Sequence, residues 1–224
     1  MIEWLVPQAS TSARDVDWLF TVILVTVGFW FVVAQAVLFT FIFRFRRRPG
    51  VAALYIAGES PAEKRWISRP HALVIVCDVV LIASALWVWK LIKQDQPPAD
   101  EKVRIVAQQW AWVFVHPGPD GKLDTQDDVT TVNELHVKTN TTYHFELTSK
   151  DVVHSFSVPA FRLKQDAVPG RMVTGWFRPI REGRYDIQCA EICGIGHALM
   201  PARLVVESRE QHLAWLGSRL GTGS

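Results

Sequence analysis

Residues 18–43, WLFTVILVTVGFWFVVAQAVLFTFIF, form an uncharged apolar run longer than the ~20 residues that cross a hydrocarbon core. Backbone in lipid must satisfy its own hydrogen bonds, so this run predicts a membrane-spanning helix. It is too long for the core of a cleaved leader, no basic segment precedes it and no small-residue cleavage pattern closes it, so it is expected to persist as an anchor. A second apolar run, 71–92, carries Asp78 within it and ends on Trp87 and Trp89, an aromatic border of the kind found at membrane surfaces. An ionisable group inside a membrane helix is costly, so Asp78 is expected to face a protein partner rather than lipid. The two runs make a hairpin within residues 1–99. Its loop, 44–70, holds RFRRR and then Lys64, Arg65 and Arg69, and basic loops stay on the cytoplasmic side, which puts both termini outside.

Beyond Ile92 the stretch KQDQPPAD breaks the helical pattern, and from about Asp100 to the C-terminus the sequence reads as short β-rich runs separated by turns. The candidate strands are KVRIVAQQWAWVFV, ELHVKTN, TYHFELTS, HSFSVP, MVTGWFRP, RYDIQC and ARLVVES. Many short strands at close spacing predict a sandwich or barrel. REQHLAWLGSRL then reads as a short amphipathic helix and GTGS as a frayed end. With 24 basic against 22 acidic residues, the chain has no global charge suited to nucleic acid.

The chemistry is concentrated in Cys189-Ala-Glu-Ile-Cys193-Gly-Ile-Gly-His197-Ala-Leu-Met200, with His154 upstream in DVVHSFSVP. Thiolate, thioether and imidazole ligands favour copper, whereas carboxylate-rich sites favour hard ions. Taken singly, the two cysteines could form a disulfide or pack as small apolar residues, and His154 could be an ordinary core histidine. The joint spacing C-x3-C-x3-H-x2-M with an upstream histidine outweighs those readings. A mononuclear blue-copper site needs one thiolate; two thiolates on one loop, each able to bridge, can hold two copper ions as a shared one-electron carrier.

CAEICGIGHALM together with DVVHSFSVPAFRLKQDAVPGR resembles the copper A region of cytochrome c oxidase subunit II, and the order of hairpin, linker and β domain resembles that family along nearly the whole chain. The resemblance implies a two-helix membrane hairpin carrying an external cupredoxin domain, a Greek-key β-sandwich. It implies that Cys189 and Cys193 bridge both coppers, with His154 and Met200 completing one ion, and His197 with the backbone carbonyl of Glu191 the other. The Glu191 carboxylate would reach a magnesium or manganese ion at the interface with subunit I. Trp110, in Gln109-Trp110-Ala111-Trp112, would be where an electron from cytochrome c enters, although Ala111 stands where the family carries an aromatic. Asp151 matches an acidic position for donor docking. Glu63, in Glu63-Lys-Arg-Trp66-Ile-Ser-Arg-Pro70, would lie at the mouth of a proton channel in subunit I.

These implications describe the electron-accepting subunit of a proton-pumping terminal oxidase in a bacterial cytoplasmic membrane, with subunit I and subunit III as partners and the oxygen chemistry in subunit I. A copper A subunit of a related nitric-oxide reductase shares the ligand motif. A thioredoxin-like copper chaperone uses C-x3-C but would have a single anchor and no H-x2-M. No C-x-x-C-H for covalent haem occurs, so the donor is expected to be a separate cytochrome c or haem c domain. The turn around Asp120, Asp124, Asp127 and Asp128 lacks the alternating ligands of an EF-hand. It reads as a calcium site, an acidic docking surface or a solvated turn.

Overall fold

A computed structural model describes residues 5–53 and 55–220, and the GTGS tail lies outside the described residues. The chain divides into two units, Trp18–Lys90 and the remainder.

The first unit is the hairpin. Helix α1 spans Thr11–Arg44 and helix α2 spans Pro61–Trp89, with a π-helical turn over Lys90–Gln94. Both contain stretches long and apolar enough to cross a bilayer, and their large apolar side chains point outward. Helix α2 starts at Pro61 rather than at 71 because a local signal overrides the polarity of its first turns. The Ser60 hydroxyl accepts from Glu63 N, the Glu63 carboxylate accepts from Ser60 N, and proline occupies the first helical turn, where its missing N–H costs nothing. The helices touch where Trp30 Nε1 donates to Cys77 Sγ at 3.3 Å and where Trp18 meets Trp87 edge-on at 5.6 Å. Asp78 lies on the outer face of α2.

The second unit is a sandwich of two five-stranded sheets. One has the order β3 (Val129–Val132), β2 (Ala111–His116), β1 (Glu101–Gln108), β5 (Tyr143–Ser149), β8 (Val173–Phe177). The other runs β4 (Glu134–Lys138), β10 (Ala202–Glu207), β9 (Gly183–Cys189), β6 (His154–Val158), β7 (Leu163–Ala167). Alternation puts Val103, Ile105 and Ala107 of β1, Trp112 and Phe114 of β2, and Tyr143, Phe145 and Leu147 of β5 on the inner face. Phe156 of β6 is packed among Trp112, Phe114 and Phe145 at ring separations of 5.5, 6.4 and 6.3 Å. Gly175 admits this packing, since a Cβ there would lie 2.4 Å from Phe145 Cζ.

Two departures from the predicted strands have physical causes. The run 102–115 is not one strand: the chain reverses at Gln109 and Trp110, so that Gln108 pairs with Ala111. Strands β3 and β7 were not anticipated; β7 reads LKQDA, without apolar alternation, because it is an edge strand paired only to β6.

The segment before the membrane run belongs to this sandwich. Ala9 is fully buried in the core, its N–H donates to Ala160 O at 2.9 Å, and its carbonyl accepts from Ile180 N at 2.9 Å. Arg162, in the left-handed region at φ +53°, donates from Nε and Nη2 to the two Asp17 carboxylate oxygens at 2.7 and 2.8 Å. Its remaining donors reach Val6 O at 3.0 Å and Pro159 O at 2.8 Å.

Helix α3 (Arg209–Leu220) packs through a buried histidine cluster. Trp215 stacks on His136 at 4.1 Å and lies edge-on to His116 at 5.0 Å, while Glu207 contacts His136 Nδ1 at 3.0 Å and His212 Nδ1 at 3.3 Å. Burial, with His212 and His136 nearby, holds the His116 imidazole down at about 3, so it is neutral in the fold. The unfolded chain takes up that proton near pH 6.5, so stability is lost as pH falls below ~6.5, by about 1.4 kcal/mol per pH unit from this group. Urea unfolding of the full-length protein should show a loss of ~2 kcal/mol between pH 6.5 and 5 from His116 alone. His116→Phe should flatten that slope; an equal slope in parent and variant would show the assignment to be mistaken.

Candidate metal centre

Pairing of β6 with β9 brings the site together, because Phe156 opposes Cys189 and places His154, two residues earlier, beside the start of the ligand loop. The loop 190–200 is held down by Ala190 N donating to Ser155 O at 2.9 Å and by Trp112 Nε1 donating to Met200 O at 3.1 Å. A short 3-10 turn over His197–Leu199 then returns the chain to β10.

The sulfur and nitrogen atoms form a continuous series. His154 Nδ1 lies 3.8 Å from Cys189 Sγ, Cys189 Sγ lies 3.8 Å from Cys193 Sγ, and Cys193 Sγ lies 3.6 Å from His197 Nδ1 and 3.4 Å from Met200 Sδ. The Glu191 carbonyl oxygen sits 3.2 Å from Cys189 Sγ, while its side chain belongs to an exposed residue. Both cysteines are free thiols. Among the described residues, His154, Cys189 and Cys193 are the group of His, Cys, Asp or Glu side chains close enough to share a cation, with ligand atoms within 4.8 Å of one another. Burial and the adjacent Cys189 push the Cys193 thiol up to about 11. Two thiols, two imidazoles, a thioether and a carbonyl in one continuous series fit soft, copper-like chemistry, and the close group His154, Cys189 and Cys193 contains no carboxylate.

Asp151 orders the site from behind. One carboxylate oxygen lies 2.8 Å from His154 Nε2 and the other accepts from Gln109 N at 2.6 Å, which turns His154 Nδ1 toward Cys189. Partial burial opposes ionisation, but the N–H groups of Gln109 and Val152 and the His154 ring hold this carboxyl below its usual range. A carboxylate behind a metal-binding imidazole fixes its tautomer and orientation. Trp110 is 36% exposed and its Nε1 lies 3.4 Å from Cys193 O.

The other sequence candidates lie elsewhere. Glu63 and Asp78 are on α2, and the Glu63 carboxylate serves the helix cap. In the acidic turn, Arg104 grips Asp124 at 2.6 and 3.0 Å, Asp120 accepts from Lys122 N, Asp127 from Asp120 N and Thr125, and Asp128 from Asp124 N. These carboxylates order their own loop and do not converge as a calcium site. Gln109 was not singled out by sequence, since a polar residue between two strand patterns carries no distinguishing signal.

Residues 102–209 match the family model described as cytochrome c oxidase subunit II, periplasmic domain. The alternative cytochrome c oxidase subunit 2 of Bradyrhizobium diazoefficiens is 35% identical, over 86% of this chain and 77% of the relative. The cytochrome c oxidase subunit 2 of Cereibacter sphaeroides is 30% identical over 96% of this chain and 79% of its own length. Among solved structures, the crystallised periplasmic domain of subunit II of the cytochrome oxidase of Bradyrhizobium japonicum superposes with a TM-score of 0.51 at 30% identity, covering 58% of this chain and 99% of that one.

Proposed function

The chain belongs to the cytochrome c oxidase subunit II family, and from that premise we propose that it takes single electrons from a cytochrome c-type donor at Trp110 and delivers them to haem in subunit I. Its role is that of an electron-accepting subunit of an oxidoreductase, with oxygen reduction in the partner. The observation that carries this reading is the unbroken series of soft donor atoms from His154 through the two cysteines to His197 and Met200.

In this reading Cys189, Cys193, His154, His197, Met200 and the Glu191 carbonyl would together hold a pair of copper ions. Copper held there would supply a one-electron couple. The protein residues hold the ligands in one geometry, so that little rearrangement accompanies a change of charge: Asp151 locks His154, Trp112 pins the Met200 backbone, and the β6–β9 pairing sets the first cysteine. The exposed Glu191 side chain is available to a magnesium or manganese ion at the subunit I interface. Glu63, half-buried in the first turn of α2, is the proton-channel carboxylate, and Asp78 meets subunit I. The copper domain and both termini face the periplasm, the basic loop faces the cytoplasm, and subunit III completes the assembly.

Trp110→Phe in the assembled oxidase tests the donor-facing step. Electron uptake from reduced cytochrome c should slow at least about tenfold, the equivalent of about 1.4 kcal/mol in barrier, with copper content and spectrum unchanged. Unaltered uptake would remove Trp110 from the path.

A further inference from the structure

The indole of Trp110 lies directly on the ligand loop. At buried Gly196 a Cβ would come within 2.3 Å of Trp110 Cδ2 and 2.6 Å of Cγ, and at Gly194, with φ +120°, within 3.2 Å of Cζ2. The ring therefore rests on bare backbone, closer than any side chain at position 196 would permit.

The residue before it fastens the turn in two places. Gln109 Nε2 donates to Cys193 O at 2.7 Å, the carbonyl that Trp110 Nε1 also approaches at 3.4 Å. Gln109 N donates to Asp151 Oδ2 at 2.6 Å, and the other Asp151 oxygen lies against His154. One amino acid thus ties the β1–β2 turn to the backbone of a proposed bridging cysteine and, through a carboxylate, to a proposed histidine ligand. A hydrogen bond of a side-chain amide to a loop carbonyl fixes both distance and direction, which apolar contact alone does not.

We propose that Gln109 is a positioning residue and Gly196 its matching seat, together setting the separation and orientation of the Trp110 ring over the metal-binding loop and hence the rate at which electrons arrive. This rests on the reading of Trp110 as the point of electron uptake. It assigns to Gln109 an inward, structural role in electron transfer and makes the glycine at 196 a requirement of the indole above it rather than of the metal below.

The test uses the copper-loaded, assembled oxidase labelled with 5-fluorotryptophan, with the Trp110 resonance identified by its loss in Trp110→Phe. In Gln109→Leu, which keeps the backbone donor to Asp151 but removes both side-chain donors, the Trp110 fluorine signal should shift and broaden. Electron uptake should slow roughly ten- to a hundred-fold, the scale on which small misplacements act, while copper content and EPR spectrum match the parent. Gly196→Ala should give the same fluorine change by lifting the ring. If Trp110→Phe slows uptake but Gln109→Leu leaves both the fluorine signal and the rate unchanged, the positioning role is overturned and the uptake role of Trp110 stands. If Trp110→Phe itself leaves the rate unaltered, the underlying reading fails, and the fluorine spectra alone decide whether the seat exists.

Discussion

Cys193→Ser should cost the protein its paired-copper signature outright. Full-length protein loaded with copper is expected to bind two ions per chain and to give a seven-line hyperfine pattern, as one unpaired electron shared equally by two nuclei requires. The variant should bind at most one and give four lines. The reason is geometric as well as chemical. Cys193 Sγ stands 3.8 Å from Cys189 Sγ and within 3.6 Å of both His197 Nδ1 and Met200 Sδ, so it is the atom common to both halves of the donor set. A serine hydroxyl there is a hard, neutral donor, poorly matched to copper and unable to replace a bridging thiolate. Cys189→Ser should behave alike, since its sulfur links His154 and the Glu191 carbonyl to the rest. Two coppers retained in either variant, with the seven-line spectrum intact, would end the binuclear assignment.

The second large effect is on stability. Arg162→Ala is expected to destabilise the sandwich by about 3–5 kcal/mol, the usual cost of removing one partner from a buried ion pair. The side chains of Arg162 and Asp17 are only 11% and 9% exposed, and the guanidinium also holds the carbonyls of Val6 and Pro159, so its loss unfastens the N-terminal segment as well as the charge. Urea titration of the full-length protein, followed by a tryptophan signal from the β unit, measures this. A loss below ~1 kcal/mol, the range of exposed pairs, would show that solvent reaches the site. Asp17→Asn should be milder, because it keeps the shape and one acceptor for the guanidinium.

Sequence carried the architecture and the centre of the site because both are written locally. The apolar run 18–43 and the ligand spacing between Cys189 and Met200 need no knowledge of distant contacts. The helix start at Pro61 was equally local, in Ser60-Pro61-Ala62-Glu63, but basic residues on both sides made that segment read as loop. What remained hidden depends on residues far apart. Nothing in Ala9 or Asp17 announces partners more than 140 positions away, and LKQDA becomes β7 only because β6 offers it an edge. The family resemblance gives Asp151 a docking role; its hydrogen bonds to Gln109 and His154 appear only once β1 has been laid beside β5.

The stitching of residues 6–17 into the sandwich restricts how the protein can be made. A bilayer is impermeable to Arg162 and Asp17 alike, so the bond between them forms only if the polypeptide has crossed an even number of times between the two. A chain in which only one of the two helices spanned would leave Ala9 on the opposite side from its slot beside Ala160 and Ile180, and the core would stay open. Insertion of both helices is thereby checked by the completion of folding itself.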